Sequence, residues 1–255
     1  VYGFDVASYQ EVDKVEKYLD YVDYISASGY GFTIIELVDT ISKGIHVDFM
    51  SISQIETVVE KLIGEYSGIG IRINIPRSKI GNHRNRKSRF GIEFEEGHKL
   101  QELCFYNKLV LERIHLHGGL KTMEDIIIIG DEIEKWINLF ETIKYVNLGG
   151  GWDYLFQTQS IEEALRYITT RFPKIQFYIE PGSLLVRNAG ILVSRVIDYQ
   201  YGDKNFGFAV LDCSDFNLSS WYKSQVIAVL SQSNCALEKE VEIVGNTCYE
   251  DDWFQ

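Results

Sequence analysis

The sequence predicts an α/β fold with a parallel sheet, built either as a doubly wound sheet or as a (β/α)8 barrel. Seven strand-like runs alternate with amphipathic stretches of helical periodicity, which is the pattern of strands joined by helical crossovers. Seven units are one short of the eight that close a barrel. Because the sequence also opens directly on a strand signal, we expect a further strand ahead of residue 1.

Each strand is predicted from a short run rich in apolar, β-branched or aromatic residues. These runs lie at 2–7, 24–27, 45–49, 70–75, 111–117, 145–148 and 176–180. The helices are predicted from apolar positions three and four residues apart. They lie at 11–19, 33–42, 53–63, 97–109, 123–140 and 160–171. The predicted N-caps are Ser53, Thr122 and Ser160. Ser160 and Glu163 are also predicted to form a capping box.

The pattern changes after about residue 191. The segments GILVSRVIDYQ and FGFAVLDCSDF both have strand character, with no amphipathic helix between them. We therefore predict two domains, a barrel domain over 1–191 and part of a C-terminal β domain over 192–255.

Composition excludes several classes of protein. The 255 residues carry 37 acidic and 25 basic side chains, a net charge of -12, whereas nucleic-acid binding needs a basic surface. No apolar run has the length that a membrane span requires, and no secretory signal opens the sequence. The four cysteines are scattered without a CxxC pair, so neither a zinc site nor a disulfide framework is predicted. We expect a cytoplasmic protein that binds neither nucleic acid nor membrane.

Polar residues collect where the predicted strands end, which is the reactive edge of a parallel α/β barrel. His115 and His117 lie two apart on one strand and therefore share a face, but no third ligand stands at a recognisable spacing, so we predict no metal. The other residues at these ends are Asp5, Ser8, Arg72, Asn74, Gly149, Gly150, Gly151 and Glu180.

The run NLGGGW leads from a strand into Gly149, Gly150 and Gly151. Such a turn can offer free amides to an anion, phosphate above all, although a tight turn alone also accounts for it. The segment is neither a Walker loop nor a GxGxxG fingerprint. The basic segment 76–90 is open to two interpretations, a solvated loop or a binding loop over the barrel mouth.

The order of eight motifs resembles the fold-type III pyridoxal-phosphate decarboxylases, the group of ornithine, arginine, diaminopimelate and carboxynorspermidine decarboxylases. The resemblance covers essentially the whole chain and is specific for the family, not for the substrate. The motifs are GFDVASYQEV, RINIP, SRFGI, HLHGG, NLGGGW, EPGSLLVRNAGILV, AVLDCS and GNTCYEDD.

The resemblance implies a pyridoxal 5′-phosphate site. It gives the cofactor phosphate to Gly149, Gly150 and Gly151, with Gly182 also at the cofactor. It implies that His117 stacks on the pyridine ring and that Glu180 hydrogen-bonds the ring nitrogen. A carboxylate there keeps the nitrogen protonated, and the protonated ring is the electron sink for decarboxylation.

The resemblance also implies residues for catalysis and for the substrate. Cys248 matches a cysteine that reaches the active site of a neighbouring subunit and helps to protonate the product carbon, so a homodimer is expected. Asp212, Asp252 and Tyr249 match positions near the distal end of the substrate. Tyr249 replaces an acid of the ornithine-type enzymes, which makes a plain diamine-forming substrate less favoured.

The chain departs from the family pattern at several positions. Ser183 stands where an arginine usually contacts the phosphate, and Leu120 where a serine often does; basic residues of 77–89 are candidates to compensate. The covalent lysine of the family lies upstream of the GFDVAS-like motif, and no lysine here has that context, so we assign none. We expect the missing first strand and the tyrosine-bearing C-terminal motif to lie outside this sequence.

The predicted function is pyridoxal-phosphate-dependent decarboxylation of an amino acid or an amino-acid-bearing conjugate. The alternative is a catalytically silent homologue with a binding or regulatory role, which the residues at 120 and 183 favour. A racemase of the same fold is a third hypothesis, and it predicts exchange of the α-proton without loss of CO₂.

Overall fold

A computed structural model describes residues 2–62, 68–75, 88–186, 189–201, 206–218, 226–230 and 240–254 of the chain. The chain divides into two compact units, Val1–Arg187 and Asn188–Gln255. The predicted assignment of a cofactor-binding barrel to 1–191 and a partial β domain to 192–255 stays a prediction.

The first unit is built on one seven-stranded parallel sheet whose strands follow one another in sequence order. Each strand pairs in parallel with the next. The predicted α/β class is therefore confirmed. The strands are β1 (Gly3–Val6), β2 (Tyr24–Ser28), β3 (His46–Phe49), β4 (Gly68–Arg72), β5 (Val110–His115), β6 (Tyr145–Asn147) and β7 (Gln176–Tyr178).

Helices follow the strands, as predicted from the periodicity. The structure adds two short helices that the sequence did not indicate, each of five residues, because a single turn and a half shows no periodicity. The helices are α1 (Tyr9–Val15), α2 (Ile34–Ser42), α3 (Ile52–Val59), α4 (Gly97–Tyr106), α5 (Met123–Leu139), α6 (Asp153–Gln157), α7 (Ile161–Arg171) and α8 (Gly182–Val186).

Two of the three predicted N-caps, Thr122 and Ser160, stand at the N-cap position of their helices, but only Thr122 makes a side-chain cap bond. Thr122 caps α5 and forms a capping box with Asp125. The prediction of Ser53 is wrong. The side chain of Ser51 accepts the cap hydrogen bond from the amide of Gln54, and α3 begins at the next residue, Ile52. Ser160 precedes α7 without a side-chain cap bond, since its hydroxyl donates to the carbonyl of Thr158 instead, and the predicted box with Glu163 is absent.

The sheet has an apolar outer face and a polar inner face. Alternate residues such as Val47, Phe49 and Ile69 are buried in the hydrophobic core together with apolar residues of the helices. The sheet is curled, since Tyr178 of β7 stacks on Tyr24 of β2 with ring centroids 4.3 Å apart. Side chains from strands near the two edges of the sheet therefore meet on its inner face, as in the predicted barrel.

The second unit contains a three-stranded mixed sheet in the order β10–β9–β8. Its strands are β8 (Val196–Tyr201), β9 (Phe206–Leu211) and β10 (Glu240–Val244); β8 and β9 are antiparallel, and β10 runs parallel to β9. The first two strands agree with the predicted strand signals. Across the described residues, no helix has the length and apolar character needed to cross a bilayer.

Candidate active site

Glu180, just after β7, is held from two sides on the inner face of the sheet. The side-chain amide of Asn147 donates to its Oε1 over 2.6 Å, and Nε2 of His115 lies 3.3 Å from the same oxygen. The carboxylate remains 24% exposed. The neighbouring backbone is fixed as well, because the Glu180 amide donates to the carbonyl of Gly149 over 3.0 Å.

A buried ion pair lies on the other side of His115. Nε of Arg113 donates to Oδ1 of Asp48 over 2.8 Å, and Nδ1 of His115 lies 3.4 Å from Oδ2. Burial opposes ionisation of Asp48, but Arg113 and His115 together outweigh it and hold the pKa of Asp48 below its ordinary value. Gly70 makes room for the pair, since a methyl group there would overlap Oδ1 of Asp48.

Asp5 completes this inner cluster from β1. The hydroxyl of Ser26 donates to its Oδ1 over 2.7 Å. Burial, followed by the nearby charge of Glu180, raises the pKa of Asp5 to about 7. Donor atoms of Asp5, His115 and Glu180 lie within 4.8 Å of one another. The hydrogen bonds from Ser26 and Asn147 give both carboxylates a protein partner.

The three glycines after β6 form a turn that approaches another loop closely. Gly149 and Gly151 have φ of 66° and 83°, a region that side chains disfavour. A methyl group at Gly151 would also overlap the carbonyl of Gly119. The bare backbone is therefore already required by packing, in addition to any ligand.

Two amides of the glycine turn have protein acceptors. Gly149 donates to Oδ1 of Asn147 over 2.8 Å, and Gly150 donates to Nδ1 of His117 over 2.9 Å. Among the described hydrogen bonds, none uses the amides of Gly151 or Trp152. Fewer amides of the turn are therefore available to an anion than the three glycines of the sequence indicated.

The bond from Gly150 fixes the tautomer of His117. Because Nδ1 accepts, the proton of a neutral ring is on Nε2. Although the residue is exposed, loss of hydration beside the packed loops and then the charge of Lys121 lower the pKa of His117 below its ordinary value. We expect ¹⁵N NMR of the ligand-free protein to show the neutral Nε2–H form from pH 8 down to pH 5. A titration of this ring with a midpoint near 6.5 would contradict the assignment.

At the two positions that depart from the family pattern, the serine is bonded to another residue and the leucine has no polar group for an anion. The hydroxyl of Ser183 donates to Oδ2 of Asp153 over 2.7 Å, and Leu120 is 62% exposed. Gly182 opens α8, and a methyl group there would meet nothing within 4 Å.

Lys121 is fully buried beside the glycine turn. Sequence reasoning missed Lys121, because a lone lysine in a loop carries no signal.

The second unit holds the residues predicted for catalysis and substrate binding. Cys248 is a free, exposed thiol, and Tyr249 is exposed. Asp212 accepts bonds from Ser194 and from the amide of Arg195. Asp252 is buried, and Ser214, Asp215 and Thr247 donate to both of its oxygens. The two aspartates thus have structural partners, and their predicted substrate roles remain predictions.

The structure brings together several of the predicted residues of the first unit, whereas the side chain of Asn74 donates to the carbonyl of Ser88. Arg72, His115, His117, the glycine turn and Glu180 lie around one inner surface, with Nη1 of Arg72 3.4 Å from Nε2 of His115. Asp48, Arg113, Asn147 and Lys121 join them and were not predicted. Of the basic segment 76–90, residues 76–87 lie outside the described residues, so both interpretations of it stay open.

Comparison with known proteins supports the predicted resemblance. The chain is 25% identical to diaminopimelate decarboxylase of Aquifex aeolicus over 274 aligned positions, which cover 98% of this chain and 65% of that protein. It is 24% identical over 242 positions to carboxynorspermidine/carboxyspermidine decarboxylase of Campylobacter jejuni, covering 85% of this chain and 60% of that protein. The chain thus spans less than two thirds of the length of these relatives. No protein-family model matches it.

Solved structures show the same fold. Diaminopimelate decarboxylase from Helicobacter pylori, complexed with L-lysine, superposes with a TM-score of 0.72 at 22% identity, over 99% of this chain and 68% of that chain. The Paramecium bursaria Chlorella virus arginine decarboxylase bound to agmatine gives 0.73 at 18% identity, over 99% and 71%. The fold is that of the fold-type III decarboxylases. The homologues of the chain are diaminopimelate and carboxynorspermidine decarboxylases, which confirms the predicted resemblance.

Proposed function

We propose that the protein is a pyridoxal-phosphate-dependent decarboxylase of an amino acid or of a conjugate that carries an amino-acid centre. The observation that carries the proposal is the connection made by Asn147. Its amide nitrogen donates to Glu180 and its carbonyl oxygen accepts from Gly149. One buried side chain therefore sets the spacing between a carboxylate and a glycine turn, the two groups that a ring nitrogen and a phosphate would need.

The residues of this surface fit the cofactor. Glu180 is a part-exposed carboxylate for a protonated ring nitrogen. The neutral ring of His117 offers a flat face, and its bond from Gly150 fixes its orientation. The backbone amides of Gly151 and Trp152, which have no acceptor among the described hydrogen bonds, would be available to the phosphate. When bound, the cofactor supplies the electron sink that accepts the electrons of the breaking bond to the carboxyl group.

The protein residues bind and orient the cofactor and hold protons in place. Glu180 would hold the ring nitrogen of the cofactor in its protonated form, and the bond from Asn147 prevents the carboxylate from turning away. His117, oriented by the Gly150 amide, would contact the face of the ring. Asp5 and Arg72 line the same inner surface and set its charge.

The proposal is tested on the purified full-length protein with added pyridoxal 5′-phosphate. We expect a shift of cofactor absorbance on binding and release of CO₂ from an amino acid with a second polar group. Candidate substrates follow the names of the relatives: diaminopimelate and carboxynorspermidine. Binding without CO₂ release would favour the silent homologue, and α-proton exchange without CO₂ release would favour a racemase. Absence of any binding would refute the proposal.

We propose that the active protein is a homodimer in which Cys248 acts in the partner's site. Cys248→Ala should lower the rate of CO₂ release by about 10²-fold, the effect of losing a general acid, and should leave cofactor affinity unchanged. Cys213→Ala is the matched control, because the Cys213 thiol is already engaged with Ser194. A monodisperse monomer with full activity would remove this role from Cys248.

A further inference from the structure

Lys121 is a buried lysine at the glycine turn to which the proposed function gives no role. Its side chain is 0% exposed. Its backbone amide donates to the carbonyl of Gly151 over 2.9 Å, and its ammonium group donates to the carbonyl of Gly150. Lysine is almost never fully buried unless its charge is paired. Both ends of the residue thus contact the turn, and its charge needs an explanation.

The ammonium group has no carboxylate partner among the residues that the structure describes. Besides the carbonyl of Gly150, it lies 5.4 Å from the ring centroid of Trp152. Glu180 and Asp125 act on it only through space. Burial lowers the pKa of Lys121 to about 8, so the group is still mainly protonated at pH 7. A buried ammonium group that keeps its charge is stabilised when an anion lies nearby.

We infer that Lys121 is the counter-charge for the phosphate group of the cofactor at the glycine turn. The inference rests on the proposed function and names a residue for it. Ser183 and Leu120, which stand at the positions where an arginine and a serine were expected, supply no side-chain cation for the phosphate themselves. Lys121 follows Leu120 directly and contacts the turn that the resemblance gives to the phosphate.

The charge of Lys121 acts on the phosphate in two ways. Its bond to the Gly150 carbonyl holds the turn, so that the amides of Gly151 and Trp152 keep a fixed direction. Its positive charge also lowers the energy of a dianion beside the turn, because the site is buried and screening by water is weak. A bound dianion in turn favours the protonated amine and opposes the effect of burial on its pKa.

The experiment compares two ligands that differ only in the phosphate. Pyridoxine 5′-phosphate and pyridoxine have no aldehyde, so neither forms a covalent bond with an amine. Dissociation constants are measured by calorimetry for the full-length protein, for Lys121→Met and for Lys144→Met. Lys144 is the control, because its ammonium is exposed and paired with Glu112 over 2.7 Å.

We expect Lys121→Met to weaken pyridoxine phosphate by about tenfold to a hundredfold, the size of one charge–charge interaction in a weakly screened site. Pyridoxine should change by less than about threefold, which lies within the variation of a single neutral contact. Lys144→Met should leave both constants unchanged. If Lys121→Met binds both ligands with the same ratio as the unaltered protein, the inference is wrong and the proposed function stands.

A second measurement separates this role from a structural one. Methionine has a similar length, and removal of a buried charge that has no carboxylate partner among the described residues should leave the melting temperature of the ligand-free protein unchanged or raise it. A lower melting temperature together with equal losses of affinity for both ligands would assign Lys121 to the structure of the turn and overturn the inference. If the unaltered protein binds neither ligand, the proposed function fails and the inference falls with it.

Discussion

Glu180→Gln should lower the rate of CO₂ release at saturating substrate by about 10²–10³-fold, which is the effect of removing one preorganised electrostatic contact from a reacting centre. A carboxamide has no charge with which to keep a proton on the ring nitrogen, so the electron sink is lost. The shape of the site is retained, because the glutamine oxygen can still accept from Asn147, as Oε1 of Glu180 does at 2.6 Å. The rate is measured by release of labelled CO₂ over a range of cofactor concentrations.

Glu112→Gln is the matched control for this prediction. Glu112 is also a strand carboxylate, but it pairs with Lys144, the residue that precedes β6. We expect the Glu112 variant to keep full activity. Equal rates for the Glu180 variant and the unaltered protein would show that the carboxylate does not act on the ring nitrogen.

Arg113→Met should cost about 3–5 kcal/mol of unfolding free energy, because it leaves the buried carboxylate of Asp48 without its partner. Both side chains are inaccessible, at 4% and 0%, so water cannot replace the lost interaction. The free energy is measured by urea denaturation followed by circular dichroism. The double variant Asp48→Val with Arg113→Met should recover more than half of the loss, since an apolar pair needs no compensation.

Arg171→Met provides the comparison with an exposed ion pair. Arg171 contacts Asp131 and Glu134, whose side chains are 59% and 54% exposed, and its loss should cost less than about 1 kcal/mol. If Arg113→Met costs no more than Arg171→Met, the buried pair does not stabilise the fold.

The pH dependence of stability follows from the depressed pKa of Asp48. The unfolded carboxylate has a pKa of about 3.9, and the folded one binds its proton only at lower pH. The Asp48–Arg113 pair therefore contributes its full stabilisation above the unfolded pKa of about 3.9. This stabilisation is lost as the pH falls through the lower pKa of the folded carboxylate. The double variant should lack this part of the acid transition.

Local patterns were sufficient to predict the order and type of the long elements. The strand signals and amphipathic stretches of the first unit correspond to β1–β7 and to the longer helices, because each needs only neighbouring residues to be recognised. Thr122 was found for the same reason. Ser51 was missed, since Ser53 two residues later is an equally good cap in sequence, and only the backbone conformation decides between them.

The candidate site was predicted only where a motif marks it. Glu180, His117 and the glycines stand in recognisable runs of sequence. Asp48, Arg113 and Asn147 acquire their roles from neighbours 65 and 33 positions away along the chain, and no local pattern records such a pairing. The requirement for glycine at 151 was likewise visible, but its cause, the carbonyl of Gly119, was not.

The double use of the Asn147 side chain makes the two halves of this surface mechanically dependent on each other. A rotation of that amide would release the loop after β6 and the acid after β7 in the same event. Neither end can therefore be redesigned alone: a change to the glycine turn would shift the carboxylate, and a change beside the carboxylate would move the turn.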